Sequence, residues 1–225
     1  MTRKLIGTTL VIFLSAQVSL DAGMMQPKTL RVQHAKELLG KYYNSSIVSE
    51  GEKVKELKSY LTAWTTRSLK LAHKKYAGEI VEAVLVESKR HAFDPIFLLS
   101  MISNESTFNV TAVGSVGEIG LMQIRPSTAK WVSKKAGYHW GGRQTLFQPK
   151  TNIKIAAYYL SMLRRQFNGH AQLYVAAYNM GSKNVYRSLK ARVFPKDYAQ
   201  ATMKYYIHYY TLLTSQEQGR EVAQL

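Results

Sequence analysis

The chain has 225 residues, a length that accommodates one ordinary domain with a hydrophobic core. Hydrophobic residues make up 46% of it and charged residues 20%, which excludes a chain that is disordered as a whole. There is no cysteine, so disulfide bonds and thiolate catalysis are excluded, and the six histidines show no metal-ligand spacing. We therefore expect neither a metal ion nor a cofactor.

The first 22 residues have the order of a secretory signal peptide. Arg3 and Lys4 precede an uncharged, mostly apolar run, Leu5–Leu14, and small or polar residues follow it. The run is too short for a membrane span, and no cysteine lies nearby to carry a lipoprotein anchor. The cleavage site stays open, and the alternative is an uncleaved N-terminal anchor. We expect a protein that is exported, to the periplasm or out of the cell.

The formal net charge is +17, from 31 lysines and arginines against 14 aspartates and glutamates. A surface of this kind attracts polyanions over long distances. For an exported protein, the partner we expect is the anionic surface of the cell envelope. No basic cluster is dense enough to indicate a nucleic acid. We further expect a monomer that has no stable membrane span.

Residues 23–76 carry helical patterning with a break near Asn44–Ser46. Apolar residues at spacings of three to four predict one helix before the break and another, around Trp64, after it. No pattern of side chains in this region indicates chemistry. We assign 23–76 as a helical N-terminal extension.

The next two helices lead to a carboxylate in apolar surroundings. One helix is predicted from about Ile80 to His91, and Asp94 with Pro95 then supplies an N-cap and a first helical residue. Glu105 extends the apolar stripe of this second helix at its C-terminal end. Burial and the negative end of the helix dipole both raise the pKa of such a carboxyl group. A proton held near neutral pH is what cleavage of a glycosidic bond requires.

Helical patterning dominates the remainder of the chain, and alternating strand patterns are nearly absent. The Gly- and Ser-rich stretch after Glu105 allows one small β-hairpin near 113–124. The fold class is therefore predicted to be mainly α. Further helices are predicted from Pro126, over 149–167, over 171–178 and from about Tyr198 to Ser215.

Four ordered blocks of sequence lie between residues 79 and 190. They begin at Glu105, Ser115, Pro149 and Ala176, and they read Glu-Ser-x-Phe-Asn, Ser-x-x-Gly-x-x-Gly-Leu-Met-Gln-x-x-Pro-x-Thr-Ala, Pro-x-x-Asn-Ile with a later Tyr-Leu, and Ala-Ala-Tyr-Asn-x-Gly. Together they resemble the soluble lytic transglycosylase domain, whose members are relatives of goose-type lysozyme and cleave peptidoglycan. The resemblance implies a lysozyme-like helical domain over 77–190 with a sugar-binding cleft. A C-terminal helix, 191–225, would pack on it.

The resemblance also implies roles for single residues. Glu105 matches the family's catalytic acid and base, which breaks the β-1,4 bond between N-acetylmuramic acid and N-acetylglucosamine and leaves 1,6-anhydro ends. Tyr178 matches a catalytic tyrosine whose hydroxyl lies near that glutamate and can position it or stabilise charge. The implied partner is the glycan strand of peptidoglycan. Substrate-binding positions of the cleft are matched by Ser115, Met122, Gln123 and Asn179.

One departure from the family pattern leaves the reaction open. Glu118 stands two residues before Gly120, where c-type lysozymes carry their second catalytic aspartate in a similar context. With a second carboxylate, hydrolysis by a muramidase becomes available. The other interpretation of Glu118 is a solvated side chain or an ion pair with a neighbour such as Arg125. A third function that fits the same blocks is wall binding without catalysis.

Overall fold

The computed structural model describes residues 27–51 and 57–223, so the predicted signal peptide lies outside the described residues. None of the helices in these ranges has both the length and the apolar character that crossing a bilayer demands. Short 3₁₀ turns occur at Gly40–Tyr42, Leu71–Tyr76 and Arg143–Phe147. The α-helices are α1 (Pro27–Leu39), α2 (Ile47–Gly51), α3 (Leu57–Ser68), α4 (Ala77–His91), α5 (Pro95–Ser106), α6 (Pro126–Ala136), α7 (Pro149–Gln166), α8 (Ala171–Met180), α9 (Ser182–Lys190) and α10 (Asp197–Ala223).

The predicted fold class, mainly α, is confirmed, and no strand occurs in the described ranges. The small β-hairpin predicted near 113–124 is not shown. Ile119 instead makes isolated antiparallel bridges to Val113 and to Ile124. Residues with positive φ lie between the bridged positions, so the backbone turns too often for a continuous ladder to form.

Helix α5 runs through the centre of the fold and begins as its sequence predicts. The side chain of Asp94 caps it by accepting a hydrogen bond from the Ile96 N–H at 2.9 Å, and Pro95 is its first residue. Nearly all of its residues are buried, as expected of a helix that is apolar on every side. Its last turn carries Glu105, and Thr107 ends it in the left-handed conformation.

Helix α10 packs along α5 and is held there by three tyrosines. The hydroxyls of Tyr206 and Tyr210 donate to Oδ2 of the buried Asp94 at 2.7 and 2.6 Å. Tyr209 shares a hydrogen bond of 2.8 Å with Ser103 of α5. These bonds fix the position of α10 along α5, because buried hydroxyls are costly to leave unpaired.

Helix α1 is joined to this core through His34. Its Nδ1 accepts from the backbone N–H of Asp94 at 3.1 Å, so Nε2 carries the ring proton and donates to the Tyr174 hydroxyl at 2.9 Å. Burial, followed by the charge of Arg164, lowers the pKa of His34 well below its ordinary value and keeps the ring neutral. Glu37 adds an ion pair from α1 to Arg164 of α7.

The segment after Gly181 forms a helix, α9, that the sequence pattern did not predict. Helix α8 ends at Met180. Gly181 follows it with a φ of +80°, and α9 begins at Ser182. Val185 is its one buried side chain, and α9 packs on α8. A nine-residue helix with one buried residue has no apolar stripe long enough to be recognised in a sequence.

We expect Asp94→Ala to lower the free energy of unfolding by about 3–5 kcal/mol, because it removes a helix cap and leaves two buried hydroxyls without an acceptor. Urea unfolding followed by circular dichroism measures the change. Tyr206→Phe is the matched control, since it removes one of the two donors and should cost about 1 kcal/mol. A loss below 1 kcal/mol for Asp94→Ala would contradict the role assigned to this carboxylate.

Candidate active site

A cavity of about 400 Å³ lies where the ends of α5 and α8 meet the loop 107–125 and the start of α9. We call it the Glu105 cavity. Both carboxylates predicted from the sequence, Glu105 and Glu118, line it. The complete lining is Glu105, Glu118, Gln123, Ile124, Arg125, Thr128, Tyr159, Tyr178, Asn179, Met180, Gly181 and Asn184.

The Glu105 carboxyl group is partly buried in the last turn of α5, at the wall of this cavity. Burial raises its pKa to about 7, while a hydrogen bond from Tyr198 acts in the opposite direction and the charge of Glu118 adds a smaller increase. Near neutral pH the group is therefore divided between its protonated and ionised forms. A carboxyl group in this state can both give and take a proton.

Tyr198, in the first turn of α10, donates its hydroxyl hydrogen to Oε1 of Glu105. Burial and the neighbouring Glu105 raise the pKa of Tyr198 well above its ordinary value, so the hydroxyl keeps its proton and remains a donor. The sequence analysis missed this residue. Tyr198 lies 93 positions from Glu105 and outside the four sequence blocks, and no local pattern marks it.

Tyr178 lies beside Glu105 but makes its hydrogen bond elsewhere. Its hydroxyl donates to the carbonyl oxygen of Met122 at 2.7 Å. Burial first, and then the charge of Glu105, raises the pKa of Tyr178 well above its ordinary value. Tyr178 thus fastens the loop at Met122 and stands within the electrostatic range of Glu105, whereas Tyr198 makes the direct bond.

The loop that forms one side of the cavity is held from below by Asn152 of α7. Oδ1 of Asn152 accepts from the Met122 N–H at 2.8 Å. Its Nδ2 donates to the carbonyl oxygens of Ile119 and Leu146 at 2.8 and 2.9 Å. Gly120 has a φ of +77°, and a Cβ there would collide with the Leu146 carbonyl and the Asn152 amide. Glycine is required at this position because the loop passes so close to Asn152.

Glu118 forms the ion pair with Arg125 that the sequence analysis considered as one interpretation. Its Oε1 accepts from Nε of Arg125 at 3.1 Å, and its Oε2 accepts from the Val116 N–H at 3.3 Å. Burial alone would raise the pKa of Glu118, but the backbone hydrogen bonds and the Arg125 guanidinium outweigh it and lower the pKa. Glu118 is therefore an ionised carboxylate with both oxygens already bonded.

Gln123 closes the loop beside Glu118. Its Nε2 donates to the carbonyl oxygen of Gly120 at 2.8 Å. Its Oε1 and the Glu118 carboxylate both press against Gly114, where a Cβ would overlap them. The amide and the second carboxylate are therefore packed as one unit on this wall of the cavity.

The three other predicted binding residues differ in their exposure and in whether they line the cavity. Asn179 lies on the wall of the Glu105 cavity and is exposed. Ser115 is exposed but lies outside the lining, and the side chain of Met122 is buried in the core. Within 27–51 and 57–223, no group of three or more His, Asp or Glu side chains is arranged to hold a metal ion.

Residues 82–201 match the family described as the Transglycosylase SLT domain. The match covers more than half of the chain, and the chain belongs to this family, as its sequence blocks predicted. It extends beyond 190 and includes Tyr198.

Two curated relatives are named membrane-bound lytic murein transglycosylase C. The protein of Cronobacter sakazakii is 34% identical over 142 residues, which cover 59% of this chain and 36% of the relative. That of Sodalis glossinidius is 33% identical over 142 residues, covering 59% and 37%. The chain thus spans little more than a third of the length of these relatives.

Solved structures share the fold. The lytic transglycosylase Slt of Pseudomonas aeruginosa, solved as an inactive mutant, has a TM-score of 0.55 and 24% identity, covering 83% of this chain and 35% of that chain. The 70 kDa soluble lytic transglycosylase of Escherichia coli has a TM-score of 0.54 and 22% identity, covering 73% and 30%.

We expect Glu105 to make the stability of the protein fall as the pH rises. The folded pKa of about 7 exceeds the unfolded value of 4.5, so the folded state binds more protons between these values. The loss is complete above the folded pKa and amounts to roughly 3 kcal/mol, at about 1.4 kcal/mol for each pKa unit. Glu105→Gln should remove this pH-dependent component. In urea unfolding, the free energy of unfolding of the variant minus that of the wild type should therefore be larger at pH 8 than at pH 4. An equal difference between the two proteins at both pH values would contradict the assignment.

A second prediction concerns Tyr198. Tyr198→Phe removes the hydrogen bond that, among the described residues, favours ionised Glu105, so the pKa of Glu105 should rise above 7. NMR of the glutamate side-chain carbons across a pH titration measures it. Tyr178→Phe is the matched control, because its hydroxyl bonds to Met122 and its removal should leave the pKa of Glu105 nearly unchanged.

Proposed function

We propose that this chain is a lytic transglycosylase that cleaves the β-1,4 bond between N-acetylmuramic acid and N-acetylglucosamine in peptidoglycan. The observation that carries the proposal is the partly buried Glu105 carboxyl group, which has a pKa of about 7 and lines a cavity of about 400 Å³. Membership of the Transglycosylase SLT domain family and the names of the relatives support the substrate.

In the first step, Glu105 is the acid. Its proton moves to the glycosidic oxygen as the bond between this oxygen and C1 of the muramyl unit breaks, and the N-acetylglucosamine end leaves as an alcohol. Positive charge develops at C1, while Glu105 becomes a carboxylate. The hydroxyl of Tyr198 stabilises that carboxylate because it remains a donor.

In the second step, Glu105 is the base. It takes the proton of the C6 hydroxyl of the same muramyl unit, and O6 bonds to C1 to close a 1,6-anhydro ring. The carboxyl group is then protonated again and no water has been consumed. Because the nucleophile is part of the substrate, one carboxyl group suffices.

The ion pair of Glu118 favours this route over hydrolysis. A hydrolytic glycosidase needs its second carboxylate free to attack C1 or to activate water. Both oxygens of Glu118 are engaged, by Arg125 and by the Val116 N–H. In this proposal Glu118 organises the loop wall with Gln123, and its charge helps to keep Glu105 protonated.

We further propose the biological setting that the sequence predicts. The protein is exported as a monomer, acts on glycan strands in the periplasm or outside the cell, and meets the anionic envelope with its basic surface. Residues 23–76 form an extension and 77–190 the catalytic domain. The C-terminal segment, 191–225, belongs functionally to the catalytic domain because Tyr198 contacts Glu105.

We expect Glu105→Gln to lower kcat on purified peptidoglycan by a factor of about 10²–10⁴, the usual contribution of a general acid and base. Glu118→Gln should retain activity within about tenfold and leave the product unchanged, since its carboxylate does not contact the reacting atoms in this mechanism. Mass spectrometry of the released muropeptides measures both rate and product.

The products separate the alternatives. Anhydro ends from both the wild type and Glu118→Gln agree with the proposal. Reducing ends from the wild type, with activity lost in Glu118→Gln, would make the protein a muramidase. Undiminished cleavage by Glu105→Gln would exclude both the lytic transglycosylase and the muramidase. If the wild type binds peptidoglycan but does not cleave it, the protein is a wall-binding protein.

A further inference from the structure

A second cavity adjoins the Glu105 cavity and is larger, at about 860 Å³. We call it the Trp131 cavity. The two cavities share Thr128 and Tyr159 as lining residues, so an extended ligand that leaves one can enter the other. None of the roles assigned so far uses it. Its lining is Ser127, Thr128, Trp131, Tyr159, Met162, Leu163, Arg165, Gln166 and Ser182.

Aromatic rings lead from Glu105 towards this second cavity. The ring of Tyr178 lies 5.7 Å from that of Tyr159, and Tyr159 meets Trp131 edge-on at 6.4 Å. Trp131 is 45% exposed, although indole is among the most costly side chains to leave in water. A partly exposed indole at the wall of a cavity offers an aromatic surface on which the apolar face of a sugar ring can stack.

The charge of the Trp131 cavity suits an anion. Arg165 is exposed, and its one described hydrogen bond is to Oγ of Ser161 at 3.4 Å; no carboxylate in the described ranges pairs with it. The sequence contains no aspartate or glutamate between Glu118 and Asp197. An arginine without an acidic neighbour can take a carboxylate from a ligand in bidentate geometry.

We infer that the Trp131 cavity is a subsite for a second, peptide-bearing sugar unit of the glycan strand. The sugar ring stacks on Trp131, and a carboxylate of the attached peptide pairs with Arg165. The inference rests on the proposed function, because it takes peptidoglycan as the ligand. In this inference, Trp131 makes the affinity depend on the length of the glycan strand, and Arg165 makes it depend on the presence of the peptide.

The test measures binding rather than cleavage, with Glu105→Gln as the parent protein so that the ligand survives. Glycan strands sorted by length, with their peptides or stripped of them, are titrated by calorimetry. Adding Trp131→Ala should weaken binding of long strands about tenfold and leave the shortest bound strand unaffected, because one stacked aromatic contact of about 1.4 kcal/mol is lost. Adding Arg165→Gln should abolish the preference for peptide-bearing over stripped strands.

Matched controls lie away from both cavities. Tyr42→Ala removes another exposed aromatic ring and Arg143→Gln another exposed arginine, and neither should alter binding. Trp131→Phe should restore part of the preference for long strands. Unchanged affinities for Trp131→Ala and Arg165→Gln would overturn the subsite.

The two proposals fail separately. If the wild type cleaves peptidoglycan but the Trp131 and Arg165 variants bind every strand as their parent does, the subsite alone is wrong. If the parent binds strands with the predicted dependence on length and peptide, but the wild type releases no product, the subsite stands and the catalytic proposal falls.

Discussion

The hydrogen bond between Tyr198 and the partly buried Glu105 is the interaction on which the proposed chemistry depends, and the surrounding fold serves to position it. Burial raises the pKa of Glu105 and the Tyr198 hydroxyl limits the rise, so the two effects together place the pKa at about 7. A fully solvated carboxyl group would stay ionised, and a buried one without a donor would hold its proton too strongly to act as a base. The proposed chemistry needs Glu105 first to give up its proton and then to take one back.

The surrounding fold holds the two partners of this bond in register. Helix α5 carries Glu105 and begins at Asp94, and the same Asp94 accepts the hydroxyls of Tyr206 and Tyr210 from α10. One buried carboxyl group therefore caps the helix that carries Glu105 and fixes the helix that carries Tyr198. Tyr198 and Glu105 lie 93 positions apart in the chain. They meet because the bonds of Asp94 hold α10 against α5.

The opposite wall of the cleft is organised by a loop rather than by a helix. Asn152 supplies two hydrogen bonds to it and Tyr178 a third, so the backbone that carries Glu118 and Gln123 is fixed without a sheet. The ionised Glu118 is neutralised by Arg125. Glu105 is the other acidic side chain that lines the Glu105 cavity, and no acidic side chain lines the Trp131 cavity. In the proposed function, this distribution of charge leaves Glu105 as the one carboxyl group free for chemistry and Arg165 free to pair with an anionic ligand.

The sequence by itself determined the helical class, the cap at Asp94 and the candidacy of Glu105, because helix periodicity, capping and apolar surroundings are local properties. The family resemblance indicated Gln123, Tyr178 and Asn179, and a departure from the family pattern indicated Glu118; all four line one cavity. Only the tertiary structure decided what each of these side chains contacts. Tyr198 acquires its role because α10 folds back onto α5, and Tyr178 turns to Met122 because α8 lies under the loop. Such contacts depend on how distant elements pack, and no local pattern of residues encodes them.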